Sequence, residues 1–440
     1  MDIARGVAVR SSSDDRTGPP AEVEEAPLVP GVDGATSIGQ LDPPFGAYCL
    51  SFAAFGLAGN SLGPMLPSIA AVGGVETSAL SPVIAAGGIG GLLGASLCPA
   101  LPLRLLLPGG MVALALTYAM VPLHTSVFAL TAVFGAAATC AQAIAIGGHA
   151  EVARAGGSNV TSRLNGINAS FGMGSLLAPF FHEQLRTSML TGTQSYWPVS
   201  ALLLATAAPF VVSRSGCAAA PIAHNAASAT PATRQSGSMS MLLGGPTGIA
   251  LTASVLALVC CSVGAEVSYA SWLYTHAVQG MQLSGASAAA VVSCFWATMT
   301  LGRLTAAALA SRGVGPSTLL RASLPFAVAG PALALTWPSS GPALTAGMAC
   351  AGLGLSTGFA NSVALLAQHV TPTGMTQSLI QLAACGGALV FAPLSGVLAQ
   401  TGGVGTSACL WVAGGCAALD VVALLASEAL AARMALAKRQ

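Results

Sequence analysis

Residues 246–275 read PTGIALTASVLALVCCSVGAEVSYASWLYT. The run holds a single formal charge, Glu266, and is longer than the ~20 residues that cross a ~30 Å hydrocarbon layer. It is apolar all round rather than along one stripe, the pattern of a helix surrounded by lipid or by other helices. The rest of the chain shares this character. Of 440 residues, 54% are apolar and 7% charged, with mean hydropathy +0.75, against roughly 25% charged in water-soluble domains. Working outward from 246–275, similar stretches recur at 45–72, 79–99, 105–122, 126–149, 164–183 and 196–213, then at 286–310, 317–337, 342–366, 374–399 and 404–427. Twelve spans are predicted, six on each side of a polar segment rich in Ala, Ser, Thr and Pro. The expected fold is an all-α polytopic membrane protein of two six-helix bundles. Its predicted organisation is a disordered tail over 1–43, a bundle over 44–213, a linker over 214–244, a second bundle over 245–428 and a tail over 429–440.

Charge placement predicts the orientation. Eight of the 14 acids lie in the first 42 residues. With both termini inside, the internal segments hold Arg5, Arg10, Arg16, Arg104, Arg154, Arg163, Arg214, Arg234, Arg303, Arg312, Arg321, Arg433, Lys438 and Arg439, while the external side holds only Arg186. Cytoplasmic loops retain basic residues in this way. Both termini are therefore expected in the cytoplasm, with the plasma membrane as the expected membrane. A net charge of +1 with no basic cluster leaves no electrostatic footprint for nucleic acid. Ten of the 11 cysteines lie in or beside apolar runs without metal-ligand spacing, and read as small core hydrophobes. No His-Glu-x-x-His, P-loop or Cys-x-x-Cys occurs. Gly354-Leu-Ser-Thr-Gly358 matches a nucleophile elbow in letters only, since it sits inside an apolar span rather than on a strand-to-helix turn. Neither an enzyme nor a resident cofactor is expected.

The two halves echo each other. Gly172, Ala178 and Pro179 in the fifth span are matched by Gly386, Ala392 and Pro393 in the eleventh. Gly94 stands ten residues before Arg104, as Gly302 does before Arg312. Gln142 and Asn361 are amides in the fourth and tenth spans, at a comparable offset. Duplicated six-helix units of this kind build two-bundle transporters with a midplane site between the halves.

Ionisable groups inside apolar spans are costly, ~2.5 to 3.5 kcal/mol at the centre, and are functional candidates for that reason. Glu266 is the expected cation-coupling or solute-accepting residue, with Tyr269 one turn away on the same face. Arg303 and Arg312, with Asp420 as a candidate partner, are expected to form an inner gate in the second half, and Glu151 with Arg154 in the first. Uncharged amides suit a neutral polyhydroxylated ligand because they both donate and accept. Asn60, Gln142, Asn165, Asn168, Asn361 and Gln381, with the aromatic faces of Tyr269 and Trp296, form the expected binding set. Helix–helix hydrogen bonding is the alternative for about half of these amides. Trp272 and Tyr274 are expected at the membrane interface. Gly90 with Gly94, and Gly354 with Gly358, predict close helix packing.

Twelve spans, a central linker and the Gly-to-Arg echoes resemble the major facilitator superfamily. The usual loop signature after the second span is eroded here, with Gly94 and Arg104 kept and the Asp and the basic cluster absent. More specific are Gly264-Ala-Glu-Val-Ser-Tyr-Ala-Ser-Trp-Leu-Tyr-Thr-His-Ala-Val278 and Phe295-Trp-Ala-Thr-Met-Thr-Leu-Gly-Arg-Leu304. These are similar to segments of the sodium-dependent glucose transporter and fucose permease branch, and Leu62-Gly-Pro-Met-Leu-Pro67 is compatible with it. The resemblance implies alternating-access movement of a hexose-like solute by a monomer in the lipid bilayer, with sodium or a proton as coupling ion, or none. Proton-coupled fucose permeases carry acids in the first and fourth spans. This chain has none in its first span, and only Gln142 and the terminal Glu151 in its fourth. A nucleoside or drug-like solute is the alternative within transport, and a non-transporting receptor the alternative outside it.

Overall fold

The computed structural model describes residues 43–155, 160–188, 190, 192–215, 245–370, 374–401 and 403–437. The first half comprises α1 (Phe45–Gly59), α2 (Leu62–Gly73), α3 (Ser81–Leu97), α4 (Leu103–Met120), α5 (Val127–Ala155), α6 (Val160–Ser188) and α7 (Tyr196–Ser215). The second comprises α8 (Gly245–Thr275), α9 (Gly285–Ala310), α10 (Pro316–Thr336), α11 (Gly341–Leu355), α12 (Gly358–Ala367), α13 (Gly374–Thr401) and α14 (Ala408–Ala437). Among the described residues there is no strand. Most of the linker and all of the expected amino-terminal tail except Pro43 lie outside the described residues. α14 continues unbroken past the expected start of the carboxy-terminal tail at 429, to Ala437.

Local chemistry explains several helix ends. Ser284 and Ser340 cap α9 and α11, their hydroxyls accepting from Ser287 N and Ala343 N at 3.2 Å, which satisfies donors that a helix start leaves open. Pro316 opens α10, where its missing N–H costs nothing. Gly74 closes α2 at φ 64°, a left-handed conformation that glycine adopts without penalty.

Ten helical segments are long and apolar enough to cross a membrane, and α1 with α2, bent by 42°, makes an eleventh. The remaining predicted span, α6, has 29 residues but is not among them. Arg163, Asn165, Asn168, His182, Glu183 and Arg186 dilute its apolar content, and it packs between α1 and α9 instead of meeting lipid all round. Large apolar side chains stand outward around the bundle, among them Phe128, Val212 and Val422, and on α6 Met173 and Leu177. This is a surface for lipid rather than water. α11 and α12 together form the tenth span, broken at Ser356 and Thr357.

The pairing of helices repeats between halves. α3 packs on α5 as α9 packs on α11, α1 on α6 as α8 on α13, and α4 on α7 as α10 on α14. The halves meet through α6 against α9 and α3 against α13, two contacts that exchange under the same relation. The sequence echoes fall on equivalent packing sites. A methyl group at Gly94 would overlap Gln142 of α5, and one at Gly302 would overlap Ser356 at the end of α11. Pro179 and Pro393 lie inside α6 and α13. The predicted glycine packing is present too, with Gly90 against the Gly135 carbonyl and Gly354 against the Ala327 backbone.

Candidate functional site between the two halves

The end of the bundle at which α1 begins with Phe45 is here called the terminal face. The opposite, distal face carries the turns at 74–80 and 276–284. Contacts between the halves run from mid-membrane to this distal face. Ser293 of α9 donates to the Leu176 carbonyl of α6 at 2.7 Å. Tyr274 Oη of α8 donates to Glu183 Oε2 of α6 at 2.9 Å. Gln279 Nε2 donates to Thr77 Oγ1 at 2.9 Å, presented by a π-type turn over His276–Gly280. Backbone approaches reinforce these bonds: a methyl at Gly63 would overlap the Ala270 carbonyl, and one at Gly88 would overlap Leu389. The distal face is closed.

Glu183 is the polar centre of that closure. It accepts from Arg186 Nε at 3.1 Å and Nη2 at 2.8 Å as well as from Tyr274, and its carboxylate abuts Gly285 at the start of α9. The amino-terminal end of a helix favours a negative charge, and glycine alone leaves room for this one. Glu183 is not among the site residues expected from the sequence. The available signal was an acid and a base at i and i+3 beside the border of a predicted span.

Trp272 and Tyr274, expected at the membrane interface, are instead buried between helices. Trp272 Nε1 donates to the Ala392 carbonyl at 2.7 Å, and Tyr274 serves the closure. Their polar tips have partners within the protein, so neither needs the headgroup region.

Toward the terminal face, the structure joins two residues that the sequence placed in separate roles. Arg303 Nη2 of α9 lies 3.3 Å from both Oε1 and Oε2 of Glu266 on α8. Their side chains are 38% and 21% exposed. Charges in a membrane span face the bundle interior or water rather than lipid, which fits the part-exposed position of this pair. Asp420, expected beside Arg303, is fully buried and accepts from Ser262 Oγ at 2.8 Å. Ser262 lies one turn below Glu266 on α8, so Asp420 braces α14 against α8 and does not meet the arginine. Arg312 is exposed at the turn after α9.

Two donors above the pair have no protein partner. Tyr269 Oη and Trp296 Nε1 are buried and unpaired, each ring packed on Phe295 at 5.4 and 5.3 Å. Buried donors without partners are uncommon and need an explanation. Tyr269 stands one turn from Glu266 and Trp296 two turns from Arg303, so the pair and the aromatic shelf occupy the same two helices.

The expected amides separate into groups. Gln142 and Gln381 flank one contact between the halves: Gln381 Nε2 lies 3.5 Å from Cys385 Sγ, and both that sulfur and the Gln142 amide border Gly91. Asn60 has a structural task, donating to the Gly56 carbonyl at 3.1 Å and to Ser175 Oγ at 2.8 Å. It occupies the α1–α2 bend and ties it to α6, the bland alternative for that residue. Asn168 donates to the Leu164 carbonyl and faces His149 Nε2 at 3.1 Å. Asn165 is exposed, and Asn361 is partly buried with its amide on the Thr357 carbonyl at 3.2 Å. Glu151 is buried and accepts from Tyr48 Oη at 3.1 Å, while Arg154 is exposed. Among the described residues no His, Cys, Asp and Glu cluster could hold a metal ion.

No protein-family model matches the chain. Over 136 residues it is 29% identical to sodium-dependent glucose transporter 1 of Danio rerio, an alignment covering 31% of this chain and 23% of that protein. The chain thus matches less than a quarter of that relative's length. Solved structures match nearly throughout. The nucleoside transporter NupG aligns at TM-score 0.62 and 17% identity, over 87% of this chain and 98% of its own. FucP, a major facilitator superfamily transporter crystallised in the outward conformation, aligns at TM-score 0.57 and 19% identity, over 88% and 99%. At these identities the likeness establishes the fold.

Proposed function

We propose that this chain, a multi-pass membrane protein with the major facilitator fold, is a transporter that moves a small neutral polar solute by alternating access. A hexose-type sugar is the first candidate. The observation that carries the reading is the Glu266–Arg303 pair, part-exposed within the membrane-spanning region, with unpaired Tyr269 and Trp296 donors on the same helices. Glu266 offers a hydroxyl an acceptor, while Arg303, Tyr269 and Trp296 donate; Gln142, Gln381 and Asn361 supply further amides. Asn165 and Asn168 remain contacts of the same cleft in this proposal. No isolated charge has to be neutralised by the ligand, which favours a neutral solute.

The Arg303 pairing bears on coupling. A sodium ion or proton at Glu266 has to compete with a guanidinium already in place, so facilitated movement is the simplest cycle and coupling requires Arg303 to swing away. Glu151, Arg154, Arg303 and Arg312 then serve the gate on the terminal face, which we place in the cytoplasm of a plasma-membrane protein. Since one chain supplies both halves of the cleft, a monomer suffices. The glucose transporter likeness supports a sugar. A nucleoside is the second reading, favoured by the higher TM-score of NupG.

Counterflow in proteoliposomes tests this. Labelled glucose or uridine should accumulate transiently against unlabelled solute, and Glu266→Gln should reduce the exchange. A protein that binds either solute and exchanges neither would be a receptor, and the transport reading would fail. Accumulation that follows a sodium or pH gradient and vanishes in Glu266→Gln would establish coupling at that carboxylate.

A further inference from the structure

A cavity lies away from the Glu266–Arg303 pair, at the closed distal face. It has a volume of about 410 Å³, within the ~300 to 1,000 Å³ of small-molecule sites. One wall comes from the first half, from Pro67 at the end of the first span through Ser78, and the other from α8, α13 and the start of α14. Its polar lining includes Thr77, Thr275, Gln279, Ser395 and Thr406. Among the described lining residues the one charged group, Glu76, is exposed.

Thr275 belongs to the cavity lining and is 1% exposed, and its occluded Oγ1 has no partner. The other walls are set by internal bonds. Trp272 is anchored on the Ala392 carbonyl, Thr406 on His276 at 3.1 Å, and Gln279 on Thr77. The cavity is therefore preformed and carries hydroxyl and amide groups, with one unpaired hydroxyl among its lining residues.

We propose that this cavity is a second ligand site, specific for a neutral polyhydroxylated molecule of mono- to disaccharide size, which binds from the distal face and holds that face closed. The physical argument is linkage. Because the two halves supply opposite walls, the site exists as a unit only while they are together. A ligand that binds one conformation stabilises it in proportion to its differential affinity. At a hundred times its dissociation constant, such a ligand favours the distally closed state about a hundredfold over a state in which the walls have separated. Solute arriving on the distal side would thus slow its own entry at high concentration. The inference does not depend on which solute the central cleft carries.

The test uses the purified full-length protein in lipid nanodiscs, with tritiated maltose as probe. Wild type should bind maltose saturably, and Glu266→Gln should leave that affinity within twofold. Ala71→Trp plugs the mouth from an exposed position and should weaken binding at least tenfold; Ala399→Phe, on the opposite wall, should do the same. Thr275→Val deletes the unpaired hydroxyl and should weaken binding threefold or more. No saturable binding to wild type, wild-type affinity in the two plugged variants, or loss of binding in Glu266→Gln alone would each overturn the proposal. Loss of glucose counterflow with maltose binding intact would sink the central-cleft reading and leave this site standing.

Discussion

Replacing Tyr274 by Phe removes one hydroxyl from the distal closure and nothing else of size. That hydroxyl donates to Glu183 at 2.9 Å across the halves. A hydrogen bond to a charged group contributes about 1.5 to 3 kcal/mol, and the lower figure applies because Glu183 keeps its two bonds from Arg186. In the open state Tyr274 and Glu183 separate and water serves both, so the loss falls on the closed state. About 1.5 kcal/mol is roughly a tenfold change in the closed-to-open ratio. Paired spin labels on the distal ends of α6 and α9, read by pulsed electron resonance, should show the long-distance population rising about tenfold relative to the short one. Glu183→Gln should shift it in the same direction, since an amide accepts more weakly than a carboxylate. Distance distributions unchanged in both variants would refute the claim that this contact holds the distal face shut.

Arg303→Ala should be more damaging than the double replacement Glu266→Gln with Arg303→Gln, because the single change leaves a part-buried carboxylate unpaired; thermal unfolding of the purified variants checks the order, and equal melting temperatures would contradict it. Gly63→Val forces side-chain atoms into the Ala270 carbonyl, so distal reactivity of a cysteine placed at Ala71 should rise several-fold, and unaltered reactivity would show that the approach does not limit opening. Asp420→Asn keeps an acceptor for Ser262 and deletes a fully buried carboxylate. It should retain the wild-type melting temperature within a few degrees and leave counterflow intact, whereas a lost transport activity would return Asp420 to the gate.

The membrane-spanning class could be read from composition and span length, because lipid imposes a condition on every residue of a crossing helix. Duplication was legible in Gly94 and Gly302, since close helix packing admits little but glycine at such points. Glu266 and Arg303 were both singled out for the same reason, the cost of a charge inside an apolar run. Their partnership was not. It joins residues 37 positions apart on adjacent helices, while Asp420 pairs with Ser262. Asn60 could not be told from a binding amide, because the bend it caps comes from the path of α1 and α2 against α6. Trp272 and Tyr274 were misplaced for a related reason: aromatic residues with a polar tip suit a headgroup layer and an inter-helix contact equally well until their partners are known.

The sequence by itself determined the solvent of this protein and the few positions where polarity is expensive, since these follow from transfer energies summed along a helix. Tertiary structure alone decided which face is closed, which charges neutralise one another and which amides are already committed. Those outcomes depend on contacts of a few ångströms between helices far apart in the chain, and no local pattern encodes them.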